Sequence, residues 1–113
     1  MSEISICIPT YEYGGKGVYF LSKLLDSIEM QTFKDFNIVI SDHSRNEDIM
    51  NFCRDSDYDF EFTYIKNVNG RGYQAVNTNC ALEYAEGRII KLIYQDDIFI
   101  DTQALEKIKT GSG

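Results

Sequence analysis

The sequence predicts an α/β domain: a mainly parallel sheet of about four strands with helices on both faces. Three observations predict it. β-branched, apolar runs alternate with segments of helical periodicity, in the order β-α-β-α-β-α-β. The run Phe36-Asn37-Ile38-Val39-Ile40 is almost wholly apolar, as a strand covered on both faces requires. Polar residues gather just after each apolar run, where open parallel sheets bind their ligands.

Each element follows from local chemistry. Ile4-Ser5-Ile6-Cys7-Ile8 reads as a strand closed by Pro9-Thr10, since proline lacks the N–H that a ladder needs. A loop with Gly14-Gly15 follows. Val18, Leu21, Leu25 and Ile28 recur at helical spacing, with Leu24 widening the stripe, so a helix ends near Gln31. After the second strand, Ser44 and Glu47 have capping-box spacing for a short helix through Ile49, Met50 and Phe52. Phe60 to Ile65 mixes apolar with acidic residues and reads as a third, less buried strand. Tyr73, Val76, Cys80 and Tyr84 mark the next helix, with Ala75, Ala81 and Ala85 permitting close packing and Gly87 as its C-terminal cap. Ile89 to Tyr94 is the fourth strand, ended by Gln95-Asp96-Asp97. Asp101 or Thr102 caps a last helix from Gln103 to Lys109. Residues 1–110 read as one domain, and Gly111-Ser112-Gly113 as a frayed end or an expression scar.

Composition narrows the function. The chain has 113 residues, enough for one domain, and 11 Lys+Arg against 18 Asp+Glu give a net charge of −7. Such a balance argues against nucleic acid and anionic membrane surfaces as partners, because both need clustered cations. No apolar run approaches a membrane span, and no signal peptide is legible, so a cytoplasmic protein is expected. Cys7, Cys53 and Cys80 are odd in number and widely spaced, which suits reduced thiols, Cys7 being a small core residue. A single histidine, His43, argues against a zinc site and against a catalytic triad.

The polar residues after the strands are Thr10, Tyr11 and Glu12, then Asp42, then Asn67 and Asn69, then Asp96 and Asp97. Parallel strands would bring them to one edge. Adjacent Asp96 and Asp97 repel each other beside a buried strand, which a divalent cation would relieve; hard oxygen donors suit Mg²⁺ or Mn²⁺. The plainer reading is a helix cap or solvated turn. Asp42 could accept a hydrogen bond from a ligand, or serve only a turn. Tyr11 could stack on a base, or edge the core. Arg71, flanked by Gly70 and Gly72, could reach a phosphate, or simply be solvated. No phosphate-binding glycine loop follows the first strand, so a bound diphosphate would need another source of positive charge.

Four segments in order carry a family resemblance: Ile-Cys-Ile-Pro-Thr-Tyr, Val-Ile-Ser-Asp-His-Ser, Asn-x-Asn-Gly followed by Ala-Val-Asn, and Tyr-Gln-Asp-Asp. They resemble the donor half of family 2 glycosyltransferases, from about Ile4 to Asp101. The resemblance implies a truncated GT-A fold, which is Rossmann-like, and a nucleoside-diphosphate sugar as partner, UDP-sugar favoured. It implies that Pro9, Thr10 and Tyr11, with neighbouring Glu12, flank the nucleotide and that Asp42 bonds its base. Arg71 joins the nucleotide site. Asp97 would coordinate Mn²⁺ or Mg²⁺, with Asp96 shared between the metal and the ribose or sugar. The implied reaction is inverting transfer of the sugar to an acceptor hydroxyl.

Departures from the family pattern are Tyr94 for the first acid of the metal motif, Ser41 for an acid, Glu12 for asparagine and Val76 for arginine. Family members are also considerably longer, and their second half binds the acceptor and supplies the general base. The expectation is therefore a donor-binding piece, at the inner face of the membrane in its full-length form, that transfers sugar poorly alone and self-associates through apolar surface on its fourth strand or last helix. The alternatives are a nucleotide-binding module without catalysis, or one completed by a partner, and a nucleotidyltransferase, for which Gly14-Gly15-Lys16-Gly17 is a faint signal.

Overall fold

The structure is a computed structural model; it describes residues 2–12, 14–95 and 103–110, without the side chains of 109 and 110. Among these residues, four strands form one sheet in the order β3-β2-β1-β4, where β1 is Ile4–Thr10, β2 Phe36–Asp42, β3 Glu61–Lys66 and β4 Ile89–Leu92. All pairs are parallel, with Ile6 opposite Ile38 and Cys7 opposite both Val39 and Leu92. Strands β1 to β3 progress in one direction; β4 then returns to the other side of β1. Strand order thus reverses between β1 and β4, where such sheets open a crevice for ligands.

The pleat sorts the residues. Ile4, Ile6, Ile8, Phe36, Ile38 and Ile40 face one way, onto a core with Leu21, Leu24, Leu25 and Ile28 of α1 (Lys16–Glu29). Ile49 and Cys53 of α2 (Asp48–Asp55) and Leu105 of α4 (Ala104–Thr110) complete this core. Gln31 is buried and accepts the Leu105 N–H at 3.0 Å, tying the end of α1 to the start of α4. On the other face α3 (Gln74–Glu83) packs, placing Ala81 against Cys7 and Val39. The expected parallel α/β architecture with helices on both faces is what forms.

Several local expectations are corrected. β1 continues through Pro9 and Thr10. Glu3 and Cys7 turn their carbonyls toward β4, so by alternation the missing N–H of Pro9 also points there. The paired register with β4 stops at Cys7, so proline forfeits no rung. β2 likewise runs on to Asp42. The capping box does not form: Glu47 is the N-cap of α2 without a side-chain cap, and Ser44 bonds elsewhere. β4 stops at Leu92, short of Tyr94.

α3 buries a different face from the one its apolar spacing suggests. Asn77 and Ala81 turn inward, while Tyr73, Val76 and Tyr84 are exposed, as is Ile90 on β4. Gly87 is not the helix cap, since α3 ends at Glu83. It lies against β1, where an added Cβ would stand 2.5 Å from the Ser5 nitrogen, and its N–H donates to Ser5 Oγ at 2.7 Å. The three cysteines are unpaired. The expected caps Asp101 and Thr102, and the tail 111–113, lie outside the described residues. Among the described residues, no helix is long and apolar enough to cross a membrane.

Candidate functional site

A cavity of about 720 Å³ opens at the carboxyl ends of β1 and β2, beside the point of strand reversal. β1 contributes Pro9, Thr10 and, just beyond it, Tyr11. Lys16 and Phe20 come from the first turns of α1, and His43 and Arg45 from the segment after β2. Arg71, Gly72, Gln74 and Asn77 close the α3 side, while Tyr94 and Gln95 arrive from β4. The wall therefore holds three cations, Lys16, Arg45 and Arg71, and no carboxylate among the described residues. In a chain of net charge −7, that is a local inversion of sign that favours an anion.

Of the sequence-predicted residues, the structure brings Pro9, Thr10, Tyr11 and Arg71 to this cavity. Asp42 and Glu12 do not line it. Asp42 is fully buried and accepts four hydrogen bonds: from Thr10 Oγ1 at 3.1 Å, from Ser44 N at 3.0 Å, from Ser44 Oγ at 2.5 Å and from the Tyr64 hydroxyl at 2.5 Å. Three of these donors converge on Oδ1 and one reaches Oδ2, so the carboxylate is engaged chiefly within the fold. Burial, then the bond to Asp42 and its charge, push the Tyr64 phenol well above the usual tyrosine range, so it stays a donor. Asp42 consequently fixes Thr10 and the turn after β2.

Glu12 is buried as well. Its Oε1 accepts the Val18 N–H at 2.7 Å, and its own N–H donates to Ser44 Oγ at 2.8 Å. Gly15, the N-cap of α1 at φ 79°, has no side chain to cap the helix, and Glu12 supplies that oxygen from the preceding loop. The other oxygen, Oε2, is buried without a hydrogen-bond partner among the described residues. Asp96 and Asp97 lie outside the described residues.

Arg71 is held by backbone geometry. Gly70 and Gly72 have φ of +62° and +91°, a region where only glycine is unstrained. One terminal nitrogen of Arg71 donates to the Ser44 carbonyl at 3.3 Å, and its Nε is buried with no acceptor among the described residues. A buried donor left unpaired is costly, and an anion in the cavity would supply the acceptor. Arg45 forms no hydrogen bond or ion pair among the described residues. The floor is polar and ordered. Asn77 Oδ1 accepts from Ser41 Oγ at 2.7 Å, and its Nδ2 donates to the Thr10 carbonyl at 3.2 Å. His43 Nε2 lies 2.8 Å from the Asn69 carbonyl and 3.1 Å from Asn67 Nδ2.

Sequence reasoning missed Lys16, Arg45, His43, Asn77 and Gln95 as cavity residues. Lys16 had a signal, the glycine-rich start of α1. Arg45 had only its place shortly after β2. No group of three or more His, Cys, Asp or Glu among the described residues could hold a metal ion.

Comparison with known proteins places this geometry. The chain is 29% identical over 101 residues to the GalNAc(5)-diNAcBac-PP-undecaprenol beta-1,3-glucosyltransferase of Campylobacter jejuni, covering 86% of this chain and 30% of that protein. It is 33% identical over 111 residues to the UDP-Glc:alpha-D-GlcNAc-diphosphoundecaprenol beta-1,3-glucosyltransferase WfaP of Escherichia coli, covering 96% of this chain and 41% of that one. The chain thus spans well under half the length of either curated relative. In shape it is similar to S. aureus TarS 1–349 in complex with UDP, with a TM-score of 0.77 at 24% identity over 96% of this chain and 31% of that one. At that identity the likeness speaks for the fold. Glycosyl transferase family 2 matches residues 5–110, and the chain belongs to that family.

Proposed function

We propose that this chain is the donor-binding part of a glycosyltransferase that passes a sugar from a nucleoside-diphosphate sugar to an acceptor hydroxyl, with inversion. The observation that carries this reading is the cavity at the strand reversal, cationic in an acidic chain and walled on one side by Tyr11. Lys16, Arg45 and Arg71 would hold the diphosphate, Arg71 through donors that include its unpaired Nε. Tyr11 would stack on the base, with Pro9 and Thr10 beside it. A UDP-sugar is the favoured donor: WfaP is named for UDP-Glc, and TarS has been solved with UDP and with UDP-GlcNAc. Both curated relatives are named for undecaprenol-diphosphate glycans, which supports a lipid-linked glycan as acceptor, met at the cytoplasmic face of a membrane.

Asp96 and Asp97 would hold Mg²⁺ or Mn²⁺, which when bound adds positive charge beside the departing diphosphate. Inverting transfer forms a bond from the acceptor oxygen to the anomeric carbon, breaks the bond to the diphosphate, and needs a base for the hydroxyl proton. The cavity wall offers no carboxylate among the described residues, and His43 Nε2 is engaged by Asn69 and Asn67. The 113-residue chain is therefore expected to bind donor and to transfer sugar slowly or not at all.

Melting curves of the chain with and without UDP, each with and without Mn²⁺, test the reading. Stabilisation by UDP, greatest with the metal, is expected through ligand linkage. Arg45→Ala and Arg71→Ala should each cut it. No shift with UDP or any other nucleoside diphosphate, at millimolar concentration and with metal, would overturn it. Rapid transfer to a lipid-linked glycan by this chain would overturn the claim about its missing base.

A further inference from the structure

Beyond Ile93 the two strands at the reversal separate, yet the Gln95 side chain reaches across the gap. The Gln95 carboxamide grips the backbone of Tyr11 at both ends. Its Oε1 accepts the Tyr11 N–H at 2.6 Å, and its Nε2 donates to the Tyr11 carbonyl at 2.9 Å. The alternation of β1 explains why these groups are available. Cys7 turns its carbonyl to β4 and receives the Ile93 N–H at 3.0 Å. Two residues on, Pro9 has no N–H to offer. Two further, the backbone of Tyr11 points the same way again, past the end of β4. A primary amide carries N–H donors and a carbonyl acceptor in one plane, and here one of each meets the Tyr11 backbone, so Gln95 replaces the absent strand.

Gly17 crowds the same peptide from the opposite element: a Cβ there would stand 2.6 Å from the Tyr11 carbonyl oxygen. Tyr11 is thus held by its main chain, and the residue as a whole is 43% exposed at the cavity wall. The main chain that bears the ring is what Gln95 and Gly17 hold in place.

We propose that Gln95 is a positioning residue for the nucleotide base: it holds Tyr11 in stacking position across the strand reversal and has no direct part in gripping the diphosphate. This rests on the proposed binding of a nucleoside diphosphate at the same cavity. Few side chains could replace it. Glutamate keeps the acceptor but loses the donor and turns a charge on the Tyr11 carbonyl. Asparagine is one methylene too short. Alanine removes both bonds.

The test compares ligands that do and do not contain a base. Calorimetric affinities of the 113-residue chain for UDP and for inorganic pyrophosphate are measured for wild type, Gln95→Ala, Gln95→Glu and Tyr11→Ala. Gln95→Ala should weaken UDP about tenfold and leave pyrophosphate within about twofold, since one well-placed stacking contact is worth on the order of a factor of ten. Added to Tyr11→Ala, it should cost nothing more, because both changes remove one contact. Amide exchange at Tyr11 supplies a readout free of ligand: fast in Gln95→Ala, intermediate in Gln95→Glu. Unchanged UDP affinity in Gln95→Ala would overturn the proposal and leave the donor reading standing. An equal loss for pyrophosphate would reduce Gln95 to a general support of the fold and also overturn it. Wild type binding neither ligand would overturn the donor reading and this proposal together.

Discussion

The two faces of the sheet are built differently from the same two strands. Toward α1, α2 and α4, β1 and β2 present Ile4, Ile6, Ile8, Phe36, Ile38 and Ile40 to leucines and isoleucines. Toward α3, the alternate residues are Ser5, Cys7, Asn37, Val39 and Ser41, met chiefly by Ala81 and Asn77. One face is deep and aliphatic. The other is thin and stitched by hydrogen bonds, including Ser5 to Asn37 and Ser41 to Asn77, both at 2.7 Å. Burial of apolar area is strong but imprecise; hydrogen bonds are weak in net energy but fix positions. The difference teaches how the site is held. The aliphatic face supplies stability, and the thin face lets α3 approach closely enough to set Asn77 under the cavity and Arg71 at its edge.

The largest effect should therefore come from the aliphatic face. Ile38→Ala at the centre of β2 should destabilise the chain by about 3–4 kcal/mol, through lost transfer energy and a residual cavity. Cys7→Ala, one strand over on the thin face, should cost about 1 kcal/mol, because only one small atom is lost. Urea denaturation of the two variants measures the ratio. Equal losses would dissolve the distinction between the faces.

The two buried thiols sharpen the comparison, one lying on each face. Burial pushes Cys7 up to about 11. Burial first, then the charge of Asp42, push Cys53 up to about 12. In both, folding favours the neutral thiol, whereas an unfolded thiol ionises near its ordinary value of 9.0. Their stabilisation is whole below pH 9 and is lost as pH rises, toward 11 for Cys7 and toward 12 for Cys53. Urea midpoints from pH 8 upward should fall beyond pH 9. Cys7→Ala should flatten the earlier part of that fall, and Cys53→Ala a longer stretch. A fall unchanged in both variants would mean that neither thiol is shielded as its face requires.

The strand pattern, the parallel sheet and four cavity residues were legible in the sequence, for a physical reason: β-branched runs and the polar residues after them are local signals. Asp42 was legible as a polar residue after β2 but not in its bonds to Thr10 and Tyr64, which lie far off in sequence and meet it only in the folded chain. Glu12 was misplaced for a related reason. A cap supplied from three residues before Gly15 has no sequence signature, since capping patterns describe residues on the helix itself. Gln95 was read as the end of a strand and as part of the Tyr-Gln-Asp-Asp segment; its two hydrogen bonds to the Tyr11 backbone span 84 residues. Gly87 has the composition of a cap, and only β1 reveals what it avoids.

The smallest expected effect concerns α3, where the apolar spacing misled. Tyr73, Val76, Cys80 and Tyr84 are spaced as a buried stripe would be. Were they core, Tyr73→Ser or Tyr84→Ser would remove a large aromatic group and cost about 3 kcal/mol or more. In the structure Tyr73 is 70% exposed and Tyr84 50% exposed. The inward positions are Asn77 and Ala81, which an apolar template counts as one mismatch and one weak match. A small residue there is what the thin face demands: bulk at position 81 would lift α3 off Cys7 and Val39, and an apolar residue at 77 would strand Ser41 and the Thr10 carbonyl. Tyr73→Ser and Tyr84→Ser should thus each change stability by no more than about 0.5 kcal/mol. Asn77→Leu, which improves the apolar pattern of α3, should destabilise the chain more than either, because it buries unpaired polar groups. The reverse order in thermal melts would show that α3 packs through its aromatic stripe and that the thin face is misassigned.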